Sequence, residues 1–184
     1  MKKLSHLFYK ISTGWVVIAA VLVFGLFMAF VLPKFSERAS QYSNGAASPD
    51  TSFTYSGTDL YQMAESYGKS GREDFVDIRW TLDLLFPVVY TVFFITTTSW
   101  FLRRLVPLSS GLRMLNLVPV AAFSLDLLEN SATTFVMLKF PNKAPVAQAL
   151  APIFTPLKWI AVAASMLLVV ISLVFWLINK SRHR

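Results

Sequence analysis

The chain has no cysteine among its 184 residues and only two histidines, His6 and His183, which lie near its two ends. The absence of cysteine excludes disulfides, thiolate metal sites and cysteine nucleophiles. Both histidines lie in tails that are expected to be cytoplasmic, far from the acids within the apolar segments, which excludes a histidine metal site and a Ser-His-Asp triad. No glycine-rich phosphate-binding motif of the Walker or dinucleotide type occurs either. We expect no cofactor and no bound metal ion.

Charged residues are also scarce. They make up 15% of the chain, whereas 55% of the residues are hydrophobic and the mean hydropathy is +0.55. An ordinary soluble domain carries about 25% charged residues. This balance excludes a typical soluble domain and favours a membrane protein.

Long apolar runs dominate the sequence. A membrane-spanning helix needs about 17–25 mostly apolar residues, and four segments meet that requirement. The predicted spans are residues 14–33, 80–102, 112–138 and 156–178. The connecting segments are residues 1–13, 34–79, 103–111, 139–155 and 179–184. The expected fold class is all-α, an antiparallel four-helix transmembrane bundle.

Basic residues mark one side of this bundle. The N-terminal segment, the region around the 103–111 loop and the C-terminal segment contain no acid. Their basic residues are Lys2, Lys3, Lys10, Arg103, Arg104, Arg113, Lys180, Arg182 and Arg184. An excess of lysine and arginine is typical of cytoplasmic segments, so we expect a multi-pass protein of the cell (plasma or inner) membrane with both termini in the cytoplasm. The net charge of +7 then reflects topology, and the expected partner is the lipid bilayer rather than nucleic acid.

The first outer loop, residues 34–79, contains the remaining local signals. Its first half, residues 36–57, is rich in Ser, Gly, Ala and Asn and is predicted to be a flexible loop. Apolar residues then recur at helical spacing and predict a short helix over 58–67 at the outer membrane surface or capping the bundle. A capping box at Ser70–Glu73 predicts a helix from residue 71 that runs unbroken into the second span.

A polar stretch interrupts the third span. Asp126, Glu129, Asn130 and Thr133 follow the i, i+3, i+4, i+7 spacing and therefore share one helix face. A charged group in hydrocarbon costs about 2.5–3.5 kcal/mol on insertion scales, so such residues are by default functional. We expect this face to point toward protein or a polar cavity.

Other spans supply further polar groups to the same outer half. Pro87 is expected to free the carbonyl of Asp83 one turn earlier, and Lys158 is expected in the first turn of the fourth span. The predicted ligand-binding residues are Arg72, Arg79, Asp83, Tyr90, Asp126, Glu129, Asn130 and Lys158. The carboxylates would recognise a cationic or donor group of an amphipathic ligand, such as a lipid or a small hydrophobic molecule. No catalytic residue is assigned.

Two other interpretations remain open. In the first, the acids and Asn130 only fasten helices through hydrogen bonds, in a structural or assembly subunit of a larger membrane complex or in a homo-oligomer. Alternatively, paired carboxylates act as general acid and base in a small lipid-modifying enzyme. The residues favour the binding interpretation over the enzyme.

Three short motifs carry a resemblance to known sequences. They are Gly68-Lys-Ser-Gly-Arg72, Asp83 with Pro87 and Tyr90, and Pro119 with Asp126-Leu-Leu-Glu-Asn130. This pattern resembles a group of uncharacterised bacterial four-span integral membrane proteins. The resemblance covers the second and third spans and the helix before them. It implies the four-span fold and no particular activity.

Overall fold

The computed structural model describes residues 1–43 and 45–182, and this part of the chain is helical without any strand. Helix accounts for 83% of the structure. The elements are α1 (Lys2–Ile11), α2 (Gly14–Leu26), a π-helical turn (Phe27–Val31), α3 (Leu32–Tyr42), α4 (Gly57–Ser66), α5 (Gly68–Trp80), α6 (Leu85–Leu105), a 3₁₀ helix (Gly111–Leu117), α7 (Val118–Lys139) and α8 (Pro145–Arg182).

Within the described residues, four helical segments are long and apolar enough to span a membrane. In chain order, spans 1 to 4 are Gly14–Tyr42, Gly68–Leu105, Gly111–Lys139 and Pro145–Arg182. The prediction of an all-helical, four-span chain is confirmed, and the chain fits a multi-pass membrane protein.

Span 1 continues beyond Pro33, through residues that the sequence assigned to a loop. Proline lacks the N–H that would bond the carbonyl four residues earlier. The chain accommodates Pro33 with the π-helical turn, in which the N–H of Leu32 donates to the carbonyl of Phe27, and then resumes as α3. The expected flexible loop therefore begins only after Tyr42.

Span 2 is two helices joined by a turn at residues 81–84, not the single unbroken helix expected. Pro87 is the third residue of α6, where a backbone N–H would have no helical partner in any case. The carbonyl of Asp83 accepts a hydrogen bond from the N–H of Phe86 at 3.1 Å. The expectation of a free carbonyl at Asp83 is therefore wrong.

Span 4 is one helix that starts at Pro145 and includes Pro152 and Pro156. Residues 145–155, expected in the outer loop, thus extend the helix. Lys158 lies thirteen residues after the helix start, about 20 Å along the axis, instead of in the first turn. This position carries the ammonium into the bundle rather than to its edge.

Two apolar clusters hold the bundle together. The first joins α4, α5, α7 and α8 around Leu60, Phe75, Val136 and Ala151. The second joins α6, α7 and α8 around Tyr90 and neighbouring side chains, and Phe24 of span 1 packs against it. Helix α6 is therefore central, with α7 and α8 on one side and α2 on another.

The two ends of the bundle differ. At one end, which we call the terminal end, α1 packs on α6 and on the 3₁₀ helix, and Ser5 donates to the side chain of Asn116 at 2.8 Å. At the other, the loop end, residues 45–56 and α4 cover the helices. Buried charged residues belong to the loop end.

Candidate functional site

Six charged side chains from five segments meet below the loop end, and we call them the charge cluster. They are Asp50 from the loop, Arg79 from α5, Asp83 from the turn before α6, Asp126 and Glu129 from α7, and Lys158 from α8. Arg79, Asp126, Glu129 and Lys158 are each at most 5% exposed. Burying a charge is costly unless it is paired, so each buried member of the charge cluster needs an oppositely charged partner.

Lys158 is the partner of the most deeply buried acid. Its ammonium donates to Oε2 of Glu129, while Oε1 of Glu129 accepts a hydrogen bond from the hydroxyl of Thr155 at 2.8 Å. Glu129 is 0% exposed, and both of its carboxylate oxygens are bonded. Such complete bonding offsets the cost of moving an ion pair out of water. Glu129 and Lys158 therefore join α7 to α8.

Arg79 gathers a second set of acceptors. Its Nη1 donates to Asp50 at 2.6 Å, to Asp83 at 2.9 Å and to Oδ1 of Asn130 at 3.2 Å. Its Cζ lies 4.5 Å from the centre of the Phe75 ring. One guanidinium thus joins three segments, which are the loop, the turn before α6, and α7. Its Nη2 has no hydrogen-bond partner among the described residues, although it is buried.

Asp50 connects the two basic residues, and sequence reasoning missed it. Its Oδ1 lies 2.6 Å from Nη1 of Arg79 and 3.5 Å from Nζ of Lys158. Burial raises the pKa of Asp50, but the positive charges of Arg79 and Lys158 outweigh this effect and lower the pKa to about 2. In the sequence, Pro49-Asp50 indicates a turn and nothing more.

We expect Asp50→Asn to lower thermal stability near neutral pH and to lose this effect in acid. The native pKa of about 2 is below the ordinary value of 3.8, so the ionised carboxylate stabilises the fold fully above pH 4. This contribution declines as the pH falls from about 4 toward 2. Melting temperatures of both proteins in detergent, measured from pH 6 to about 2, should converge at the acidic end. A constant difference across that range would contradict the ionic role of Asp50.

Asp126 is less completely neutralised than Glu129. Its Oδ2 accepts a hydrogen bond from the hydroxyl of Tyr90 at 3.3 Å and lies 3.8 Å from Nζ of Lys158. Within the described part of the chain, the hydrogen bonds and ion pairs of this carboxyl involve Oδ2 alone, so Oδ1 remains available. Asp126 also faces a cavity, which Glu129 does not.

The cavity has a volume of about 600 Å³ and two chemically different surfaces. Its polar surface includes serine and threonine residues of α3 and the loop together with Asp50, Arg79, Asp83, Tyr90, Asp126 and Lys158. Its apolar surface includes Met28, Leu32, Phe35, Phe86, Trp159 and Val162. A cavity of this size is within the range that binds small ligands. It suits a molecule with a polar head and an apolar body.

The structure places most of the predicted site residues together. Arg79, Asp83, Tyr90, Asp126 and Lys158 line the cavity, whereas Glu129 and Asn130 lie behind it and bond Lys158 and Arg79.

Arg72 lies elsewhere. Its Nη1 donates to the carbonyl of Ala64 at 2.7 Å, and its Cζ lies 4.6 Å from the centre of the Phe140 ring. Arg72 therefore joins α5 to the end of α4, and it does not line the cavity. Thr155, which bonds Glu129, was not predicted as a site residue, because a threonine directly before a proline is typical of the start of a helix.

Comparisons with known proteins add no assignment. No protein-family model, curated protein or solved structure matches this chain. The observations that bear on function are the cavity and its charges.

Proposed function

We propose that the cavity binds an amphipathic ligand with a cationic or hydrogen-bond-donating head group, such as a lipid or a small hydrophobic amine. The observation that supports this proposal is the excess of acids over bases in the charge cluster, next to the apolar surface of the cavity. The cluster contains four acids and only two bases, so it keeps two excess negative charges when all groups are ionised. A bound cation relieves this excess, and the apolar wall accommodates the rest of the ligand.

Asp126 is the residue that we assign to head-group recognition. The carboxylate of Glu129 is fully bonded, and Asp50 is held between two bases. Asp126 faces the cavity with one oxygen available, and Asp83, whose side chain is 28% exposed, also lines the cavity. A cationic head group therefore gains charge-assisted hydrogen bonds from Asp126 and Asp83 without displacing an existing pair.

We expect Asp126→Asn to weaken the binding of dodecylamine by about tenfold, because it removes one charge-assisted contact. Native mass spectrometry of the protein in phosphatidylcholine nanodiscs measures the bound fraction over a titration. Neutral 1-dodecanol serves as the matched probe, and its binding should change little. The control variant is Asp74→Asn, which removes an exposed acid outside the cluster. Equal dodecylamine affinity in the wild type and in Asp126→Asn would contradict the proposal.

The proposal also includes a membrane topology. The helices form an antiparallel bundle in the cell membrane, with both termini in the cytoplasm, α4 at the outer interface and the cavity in the outer half. The distribution of lysine and arginine supports this orientation, since the terminal end carries the basic segments without acids. Because the chain has no cysteine, single cysteines can be introduced at the terminal end and at the loop end of the bundle. Membrane-impermeant maleimides then report on which side of the membrane each end lies. Labelling of both ends from one side would overturn this topology.

A second candidate is a structural or assembly subunit of a larger membrane complex. It is favoured by the completeness of the Glu129 pair, which fastens α7 to α8 without any ligand. Purification in a mild detergent distinguishes the two. A partner protein or second copy retained in fixed proportion, together with no specific dodecylamine binding, would favour the subunit. Specific amine binding by the isolated chain favours the proposed cavity.

A further inference from the structure

The two apolar walls of the cavity belong to helices that do not pack together. Helices α2 and α3 pack against α6 and α5, whereas α8 packs against α6 and α7. Within the described residues, no extended contact joins α8 to either α2 or α3. Met28, Leu32 and Phe35 nevertheless line one wall, and Trp159 and Val162 line the other. The cavity therefore reaches the side of the bundle between span 1 and α8, and we call this gap the lateral opening.

Between Met28 and Phe35 the lateral opening is lined by apolar side chains, whereas the polar Ser36 and Ser40 line the cavity farther along α3, toward the loop end. None of its five lining side chains is charged, and Met28 is 39% exposed. From Met28 to Phe35 the helical rise is about 10 Å, so the opening extends over two turns of helix. In a bilayer such a surface contacts acyl chains without burying an unpaired polar group.

At the loop end the cavity is covered by a segment that is fastened at two points. The hydroxyl of Tyr67 donates to the carbonyl of Ala47 at 2.9 Å. Three residues later, Asp50 pairs with both Arg79 and Lys158. The loop therefore forms a roof over the charge cluster, and the apolar wall lies on the side away from that roof.

Span 1 is the least buried of the four spans found in the described residues, and α8, on the other side of the opening, is the next, at 17%. In the most apolar window of span 1, 11% of the residues are buried, compared with 56% in span 2. The π-helical turn lies in the middle of this span and contributes Met28 to the opening. Single π-turns inside helices occur frequently at functional sites.

Building on the proposed function, we infer that the ligand is a long-chain amphiphile dissolved in the bilayer, which enters through the lateral opening. Its cationic head lies at Asp126 and Asp83, and its chain extends between Leu32 and Val162 into the lipid. A water-soluble cation without a chain would leave the apolar wall unused.

Photolabelling of the wild-type protein tests this arrangement without any substitution. The probe is dodecylamine with a diazirine at the middle of its chain, added to the protein in phosphatidylcholine nanodiscs. After irradiation and digestion, mass spectrometry locates the labels that unlabelled dodecylamine removes. A tenfold excess of competitor should lower the specific label by about tenfold. We expect this label on the walls of the lateral opening, at or next to Met28, Leu32 and Val162.

The possible results separate the inference from the function on which it rests. Competed label confined to residues 45–51 would overturn the lateral route while leaving amine binding intact. A complete absence of competed label would overturn the proposed function and the lateral route together.

A tether across the opening provides a second measurement. In a chain without native cysteine, Leu32→Cys with Val162→Cys can be joined specifically by a short bismaleimide. The tether should slow dodecylamine uptake and release by about tenfold or more, since it fixes the gap that the chain must pass. The reference is the same variant treated with N-ethylmaleimide, which modifies both cysteines without joining them. Equal rates in the two samples would overturn the lateral route.

Discussion

Replacing Glu129 with glutamine should destabilise the protein by about 3 kcal/mol, because it leaves the buried ammonium of Lys158 without its closest counter-charge. Glu129 is 0% exposed and Lys158 is 3% exposed, so water cannot replace the lost partner. Asp50 and Asp126 remain near Lys158, but at 3.5 and 3.8 Å. Unfolding by steric trapping in lipid bicelles measures the change in the free energy of unfolding.

Two further variants test whether the loss of the charge pair causes the destabilisation of Glu129→Gln. Adding Lys158→Met to Glu129→Gln removes the uncompensated ammonium and should recover part of the lost stability, the remainder being the loss of the basic neighbour of Asp126 at 3.8 Å. The matched control is Glu73→Gln on α5, where the side chain is exposed. A loss below about 0.5 kcal/mol for Glu129→Gln, the range of ordinary surface substitutions, would show that the pair is not a main fastening of α7 to α8.

Replacing Arg79 with methionine should have an effect of similar size, about 3 kcal/mol, and should also release the loop. The guanidinium holds Asp50, Asp83 and Asn130 through one nitrogen. Without it, Asp50 keeps only the longer contact with Lys158 at 3.5 Å. We therefore expect faster proteolysis within residues 45–56 together with the loss of stability. Limited digestion followed by mass spectrometry locates the cleavage sites.

The chain offers a control for each part of this second prediction. Arg38→Met removes an exposed arginine of α3 and should leave the digestion pattern unchanged. Arg79→Lys keeps the charge but cannot reproduce the geometry of the guanidinium, so an intermediate rate of cleavage is expected. Cleavage of the loop at the wild-type rate in Arg79→Met would contradict the idea that Arg79 fastens this segment.

Hydropathy predicts the spans because apolar length is a local property of the sequence, but it places helix ends poorly. Pro33, Pro87 and Pro156 were each interpreted as a boundary or an interruption. In the structure Pro33 follows a π-turn, Pro87 lies in the first turn of α6, and Pro156 lies inside α8. How a proline is accommodated depends on the register of the helix around it, which local composition does not specify.

The part of the candidate site on α7 was predicted from helical spacing. Asp126, Glu129 and Asn130 share a face of α7, and all three are buried as expected. Asp50 was missed because its position depends on tertiary contacts of a loop, and no periodicity applies there. The different roles of Asp126 and Glu129 also depend on α8, whose lysine and threonine occupy both oxygens of one acid only.

The π-helical turn at Phe27–Val31 sets the rotation of α3 relative to α2. Each residue in an α-helix turns the chain by about 100°, so the extra residue of a wider turn shifts the phase of everything that follows. The direction in which α3 presents Phe35 to the cavity is therefore set by the number of residues in the turn rather than by their identity. Substitutions within the turn preserve that phase, whereas deleting a single residue rotates the whole of α3 relative to α2.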